Sequence, residues 1–163
     1  MFTSVILGAG KSTRMKANKS KLLFNIAGKP VINHILSSLK AAKAKHNICV
    51  INRSSSELKK ILEAEKISFA YQKILDGTAG AVKAALKSKK NSNSKILILC
   101  GDVPFITSSS IKKLVAKLKN HDAVVGTVEL ESPKGYGRIV RINNKFSSIV
   151  EEKETTPEQR QIR

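Results

Sequence analysis

Leu7-Gly8-Ala9-Gly10-Lys11-Ser12-Thr13-Arg14-Met15-Lys16 follows directly on the apolar run Ser4-Val5-Ile6-Leu7. A short buried strand thus empties into a loop with two glycines, two hydroxyls and three cations. Glycine lets a backbone turn sharply and approach a ligand closely. Exposed N–H groups beside cations suit phosphate oxygens. The loop therefore reads as the first strand-to-helix turn of an α/β protein, with chemistry suited to a nucleotide's phosphate chain. Two better-known phosphate loops do not fit. A Walker A loop ending at Gly10-Lys11-Ser12 would open with glycine at position 5, which is Val5. A dinucleotide fingerprint starting at Gly8 would need its third glycine at position 13, which is Thr13. On the loop alone, an ordinary strand-to-helix turn stands beside the nucleotide reading.

Outward from this loop, apolar runs alternate with amphipathic ones. Candidate strands are Phe2–Leu7, Ile48–Asn52, Ile67–Gln72, Ile96–Cys100 and Ala123–Leu130. Ile32, Ile35, Leu36 and Leu39 share one helical face after Pro30. Ser54-Ser55-Ser56-Glu57 offers an N-cap with a capping-box glutamate ahead of Leu58, Ile61 and Leu62. Gly77 to Lys87 and the stretch after Thr107-Ser108 read as two further helices. Asn91-Ser92-Asn93-Ser94 is a polar turn. Arg138–Ile142 and Lys145–Val150 form a hairpin around Asn143-Asn144, and Thr156-Pro157-Glu158 opens a last helix. The expected fold is α/β: an open, mostly parallel sheet with helices on both faces, incomplete at the C-terminus.

The 163 residues suit one domain large enough for a real core, which must be aliphatic because there is no Trp. Lys plus Arg outnumber Asp plus Glu by 30 to 12, a net charge of +18 that attracts anions. Much of the excess is Lys dispersed over helix faces, and cations interleaved with aromatics are missing, so no specific nucleic-acid partner is expected. Cys49 and Cys100 sit in apolar runs and read as buried free thiols of a reducing compartment. His34, His46 and His121 lack ligand spacing, and His34 reads as a packed or surface residue. No signal peptide or transmembrane-length run is present, so a soluble cytoplasmic protein is expected.

In an open parallel sheet, ligands gather at the carboxyl ends of the strands. Four polar features fall there: the Gly8–Lys16 loop, Gln72 with Gly77-Thr78, Gly101-Asp102, and Gly135-Tyr136-Gly137-Arg138. A carboxylate such as Asp102, following a buried strand, can hold Mg²⁺ together with phosphate oxygens and water. It can equally be a turn or N-cap aspartate. Together the four features describe a nucleoside triphosphate held by a glycine-rich loop and a metal.

At these residues the chain resembles the sugar-phosphate nucleotidylyltransferases. The segment 7–15 is similar to their signature loop, and Lys21 stands at their second loop lysine. Gln72 with Asp76-Gly77-Thr78-Ala79-Gly80-Ala81 resembles their uracil-recognising segment. Cys100-Gly101-Asp102-Val103-Pro104 resembles their metal motif. Gly135-Tyr136-Gly137-Arg138-Ile139-Val140, Ile149-Val150-Glu151-Glu152-Lys153 and Thr156-Pro157-Glu158-Gln159-Arg160 resemble the uridyltransferase domains of bacterial N-acetylglucosamine-1-phosphate uridyltransferases. The resemblance implies a Rossmann-like nucleotidyltransferase fold over residues 1–163 as a single truncated domain, without a β-helix acetyltransferase domain. It implies uridylyl transfer from UTP to N-acetylglucosamine-1-phosphate with Mg²⁺ on Asp102. Arg14 and Lys21 would neutralise developing phosphate charge. Leu7, Gly8, Ala9, Gly10, Lys11, Gln72, Gly77, Thr78 and Gly101 would bind the nucleotide, and Gly137 and Glu151 the sugar.

The chain departs from that pattern in several places. Ser12 replaces a glycine, Gly8 an alanine and Ser20 a proline. Cys100 stands where an aromatic is common, and Gly80 where a histidine is common. The chain ends before the family's Asn-Thr-Gly segment and the asparagine that completes its metal site, so the resemblance implies either a fragment or a truncated relative with impaired turnover. Three other readings stay open: a nucleotidyltransferase with another acceptor, such as a molybdopterin or polyol phosphate; a degenerate nucleotide-binding domain; and a basic nucleic-acid binder.

Overall fold

Val5, Ile6, Cys49, Val50 and Ile51 are fully buried because the strands that carry them are covered on both faces. The computed structural model describes residues 1–10, 19–88 and 95–163, in two units, Met1–Ala123 and Val124–Arg163. In chain order the first unit runs β1 (Phe2–Leu7), a 3₁₀ turn at Lys21–Leu23, β2 (Asn25–Ile26), β3 (Lys29–Pro30) and α1 (Val31–Ala41). It continues with β4 (His46–Ile51), α2 (Ser56–Ala64), β5 (Ser68–Tyr71), α3 (Thr78–Lys87), β6 (Lys95–Cys100) and α4 (Ser108–Lys117).

β1, β4, β5 and β6 pair in parallel in the order β5-β4-β1-β6, with Leu7 opposite both Val50 and Cys100. The chain winds outward from β1 through β4 to β5, then crosses back to the other side of β1. That reversal makes the carboxyl ends of β1 and β6 a topological switch point, where a crevice opens between diverging connections.

The alternation of side chains along each strand sorts the core into two layers. Phe2, Ile6, Cys49, Ile51, Leu97 and Leu99 pack on one face against Ile32, Ile35 and Leu39 of α1, Leu58 and Leu62 of α2 and Ile111 of α4. Each such aliphatic side chain stabilises the fold by roughly 1.5–3 kcal/mol when fully buried. The other layer is thinner: Val5, Ile48, Val50 and Ala70 meet Ala81 and Ala85 of α3. On that face the edge strand β6 is less covered, and Ile98 is 47% exposed.

Local signals account for most element ends. Pro30 sits at the N-cap of α1, and Thr107 caps α4 by accepting from the Ser110 N–H at 3.1 Å. At α2 the expected capping box does not form. The helix begins one residue late, with Ser55 at the N-cap, so Glu57 stands at the second helical position and cannot reach back as a third-position glutamate does. Cys49 is buried as expected, but Cys100 is exposed, because it ends β6 on its open face. His34 is a packing residue: its Nε2–H donates to the Ile26 carbonyl at 2.8 Å and ties β2 to α1. The expected turn at Asn91–Ser94 lies outside the described residues.

The second unit holds the antiparallel pair β7 (Arg138–Ile142) and β8 (Lys145–Val150), a 3₁₀ turn at Glu152–Glu154, and the short α5 (Pro157–Arg160). Asn143 and Asn144 both adopt positive φ, 50° and 60°, the pattern of a tight two-residue hairpin. Thr156 and Gln159 form a reciprocal capping box at α5. The expected strand Ala123–Leu130 is not one. Its alternation is suitable, but among the described residues it has no strand partner, and Val125 and Val128 stay 50% and 68% exposed.

Candidate functional site

The end of β1 is bolted to both neighbouring strands. The Gly8 N–H donates to the Val50 carbonyl at 2.8 Å, and the Gly101 N–H donates to the Leu7 carbonyl at 2.9 Å. The start of the glycine-rich loop and the Gly101-Asp102 turn are therefore adjacent, as expected for one shared site. Between them and α3 lies a cleft of about 530 Å³, lined by Leu7, Ala9, Gly10, Lys21, Gln72, Leu75, Gly77, Thr78, Ala81, Cys100 and Asp102. Eight of these residues were expected in the site from the sequence: Leu7, Ala9, Gly10, Lys21, Gln72, Gly77, Thr78 and Asp102. Arg14 and Lys11 lie outside the described residues.

The glycines serve different ends. Among the described residues nothing lies within 4 Å of where a Gly10 β-carbon would be, so that backbone is not packed against them. Gly8 and Gly101 are not among the residues that line the cleft. A β-carbon on Gly8 would lie 2.5 Å from Leu22 Cδ1, and one on Gly101 would lie 2.7 Å from both Leu22 Cδ2 and the Leu7 carbonyl. They are small because Leu22, fully buried in the 3₁₀ turn, wedges against the strand ends. Gly77 meets a third need: its φ of +90° belongs to the left-handed region, at the N-cap of α3.

Charge concentrates at the mouth of the cleft. Lys21 Nζ lies 2.6 Å from Asp102 Oδ2, with the side chains 29% and 55% exposed. The pairing links residues 81 positions apart and sets an ammonium beside a carboxylate at the cleft. Burial pushes the Cys100 thiol up, Asp102 adds to the rise, and Lys21 pulls it down. The sequence reading missed Cys100, Leu75 and Ala81 as lining residues. Ala81 is visible only once α3 is packed, since its apolar position otherwise reads as core.

Across the cleft Gln72 is committed to the protein. It ends the β5 segment, its N–H donating to the Ile51 carbonyl at 3.2 Å, and it is 8% exposed. Its Nε2 donates to Asp76 Oδ1 and to the Gly77 carbonyl, both at 3.0 Å. The amide thereby holds the loop that leads into α3.

The second unit has a cleft of its own, of about 280 Å³, with Tyr136, Gly137, Arg138, Ile149 and Glu151 in its lining. Gly137 and Glu151 are thus brought together. Arg138, the last residue of the Gly-Tyr-Gly-Arg motif, is 4% exposed. Its guanidinium donates to the Tyr136 carbonyl and, at 3.4 Å, to the Arg160 carbonyl, while its Nε is buried without a partner. Gly135, at φ +87°, donates its N–H to the Glu152 carboxylate.

A parallel sheet with a glycine-rich turn, a cation and a carboxylate at its switch point is the arrangement of a nucleotide-handling domain. Residues 4–146 match the MobA-like NTP transferase domain family. The chain belongs to that family. As an NTP transferase domain it has relatives among curated proteins. It is 38% identical over 159 residues to the "Bifunctional protein GlmU" of Buchnera aphidicola subsp. Acyrthosiphon pisum (strain Tuc7), and as similar to the protein of that name from strain 5A. The match covers 98% of this chain but 34% of the relative, so the chain spans about a third of the length of these proteins. Among solved structures, the NTP transferase domain is similar to HddC from Yersinia pseudotuberculosis, with a TM-score of 0.76 and 24% identity over 93% of this chain and 69% of that one. It also resembles a nucleotidyl transferase from Methanothermobacter thermautotroptrophicus, with a TM-score of 0.58 and 17% identity over 71% and 57% of the two chains. At these identities the structural likeness establishes the fold. Among the described residues, no helix of this NTP transferase domain is long and apolar enough to cross a membrane.

Proposed function

We propose that this domain transfers a uridylyl group from UTP to N-acetylglucosamine-1-phosphate, forming UDP-N-acetylglucosamine and pyrophosphate as a step in cell-wall precursor synthesis. The observation that carries the reading is the convergence of Gly10, Lys21, Gln72, Gly77, Thr78 and Asp102 on one cleft at the switch point. A triphosphate needs cations and open backbone at one end and a shaped polar recess for its base at the other. The cleft offers Lys21 and Gly10 for the first need, and Gln72 with Gly77-Thr78 for the second.

An oxygen of the sugar phosphate attacks the α-phosphorus in line, the new O–P bond forms, and pyrophosphate leaves with the electron pair of the bond that breaks. A phosphate monoester is already a competent nucleophile. No general base is required. Lys21, joined by Arg14, steadies charge that grows on the phosphate oxygens. Among the described residues no group of three or more His, Cys, Asp or Glu could hold a metal by itself. Asp102 is a single hard oxygen donor, half-exposed at the cleft, which suits a cation shared with phosphate oxygens and water. We assign Mg²⁺ to it. When bound, the ion would supply electrostatic stabilisation of the phosphates. Gly137 and Glu151 hold sugar hydroxyls.

The test is to incubate the chain with Mg²⁺, UTP and N-acetylglucosamine-1-phosphate and to follow pyrophosphate and the nucleotide sugar together. Release that requires both substrates is expected. Release indifferent to the sugar phosphate, or UTP binding no tighter than that of ATP, would overturn the assignment.

A further inference from the structure

Two residues of the segment 76–81 are matched to each other in space. Gly80 lies inside α3, so a special backbone conformation is not the reason for glycine there. A β-carbon on it would lie 1.6 Å from Asp76 Oδ1 and 2.2 Å from Asp76 Cγ. The bare α-carbon is what admits the Asp76 carboxylate. From that position Asp76 Oδ1 accepts one hydrogen bond from Gln72 Nε2 at 3.0 Å, and the Gly77 carbonyl accepts another at 3.0 Å. A primary amide has two N–H protons and one carbonyl oxygen. Both protons of Gln72 are spent inside the protein. Gln72 nevertheless lines the cleft, so what it still has to offer a ligand is an acceptor, its Oε1.

We propose that Asp76 is a positioning residue that sets base selectivity: it locks the Gln72 side chain with its NH₂ turned onto Asp76 and Gly77, so that the cleft meets the base with a carbonyl oxygen. The inference rests on the reading of this cleft as the nucleoside triphosphate site. A fixed acceptor favours a base whose ring nitrogen carries a proton. Uracil and cytosine have nearly the same shape but opposite polarity at that nitrogen, N–H in uracil and a lone pair in cytosine. Against cytosine the Gln72 oxygen would face another acceptor, and both groups would lose their water without gaining a bond. Sites built around a donor–acceptor match reject the mismatched analogue far more strongly than apolar pockets reject a missing methylene. Without Asp76, the amide can turn and present its NH₂, and the advantage of uracil falls.

The experiment is calorimetric titration of the full 163-residue chain, with Mg²⁺ present, against UTP and CTP. The variants are Asp76→Leu, Asp76→Asn and Gly80→Ala. The expected result is a preference for UTP in the parent chain that falls roughly tenfold in Asp76→Leu, the worth of about one hydrogen bond. Gly80→Ala should act alike by displacing the carboxylate. Asp76→Asn keeps a carbonyl acceptor and should retain the preference. A merely structural role would weaken UTP and CTP together and leave their ratio unmoved, and that outcome in Asp76→Leu and Gly80→Ala would overturn the inference alone. Failure of the parent chain to bind either nucleotide would overturn the nucleotide reading and the inference with it. A readout that needs no ligand is the Gln72 side-chain NH₂ pair in a ¹H–¹⁵N spectrum. It should be protected from exchange in the parent and in Asp76→Asn and lose protection in Asp76→Leu. An unprotected pair in the parent would refute the lock directly.

Discussion

Gly8 and Gly101 flank the candidate site, and replacing each with alanine separates a soft clash from a hard one. A Gly8 β-carbon would meet Leu22 Cδ1 at 2.5 Å, with the Val50 carbonyl at a tight 3.1 Å. The main obstacle is thus the end of a side chain. A Gly101 β-carbon would meet the Leu7 carbonyl at 2.7 Å as well as Leu22 Cδ2, and that carbonyl is the one bonded to the Gly101 N–H at 2.9 Å. Strand β1 cannot retreat without losing its ladder to β6. Overpacking costs about 1–3 kcal/mol. Gly8→Ala belongs inside that range. Gly101→Ala belongs at its upper end, with a further ~1 kcal/mol for the strained backbone bond. Leu22→Ala, at a fully buried position, costs about 2–5 kcal/mol alone. A double-mutant cycle by urea unfolding resolves the difference. Gly8→Ala with Leu22→Ala should cost about 1–2 kcal/mol less than the sum of the singles. Gly101→Ala should keep about 2 kcal/mol or more of its own cost in the Leu22→Ala background, because the carbonyl remains. A Gly101→Ala change that becomes neutral once Leu22 is truncated would refute the argument that backbone limits that glycine. A Gly8 pair without coupling would refute the wedge itself.

Removing Lys21 should split stability from chemistry. Lys21→Ala costs at most ~1 kcal/mol of folding stability, since the ion pair with Asp102 is exposed, while transfer falls roughly 10²-fold. Comparable turnover in the variant would exclude Lys21 from the reaction. Arg14→Ala should match that loss with an unchanged circular dichroism spectrum. Asp102→Asn keeps the side chain's shape and removes its charge, so binding of Mn²⁺ followed by electron paramagnetic resonance in the presence of UTP should weaken about tenfold or more. Undiminished binding would place the metal elsewhere. Burial pushes the Cys49 thiol up to about 12 from an unfolded value of 9.0. The folded chain therefore keeps its proton while the unfolded chain loses it, so the contribution of this group is whole below pH ~9 and declines as pH climbs toward ~12. The slope is about 1.4 kcal/mol per pH unit. Thermal unfolding between pH 8 and pH 10 should show a smaller loss in Cys49→Ala than in the parent. Parallel losses would show that the thiol does not titrate on unfolding.

Features governed by neighbours in the chain were legible in the sequence. The helix after Pro30, the Thr107 cap, the Asn143-Asn144 turn and the Thr156–Gln159 box depend on contacts a few residues long, and their residue types announce them; the strand Phe2–Leu7 is announced by its apolar run, although its ladders run to β4 and β6. The parallel sheet followed from the alternation of strands with helices, and with it the rule that polar strand ends would gather on one edge. That rule brought Leu7, Gln72 and Asp102 to one cleft. Tertiary structure alone decided which residue meets which. The Lys21–Asp102 pair and the wedge of Leu22 between Gly8 and Gly101 each join elements from different parts of the fold, and the exposure of Cys100 follows from what leaves one face of β6 open. The two-proton commitment of Gln72 spans only four and five residues, but the residue types alone do not announce which groups its amide meets. The same holds in the negative for Ala123–Leu130, whose alternation is that of a strand but whose backbone finds no ladder among the described residues. Residue type declares what a group can donate, accept or fill. Only the packed arrangement of the folded chain determines what has already been donated, accepted or filled, and therefore what is left for a ligand.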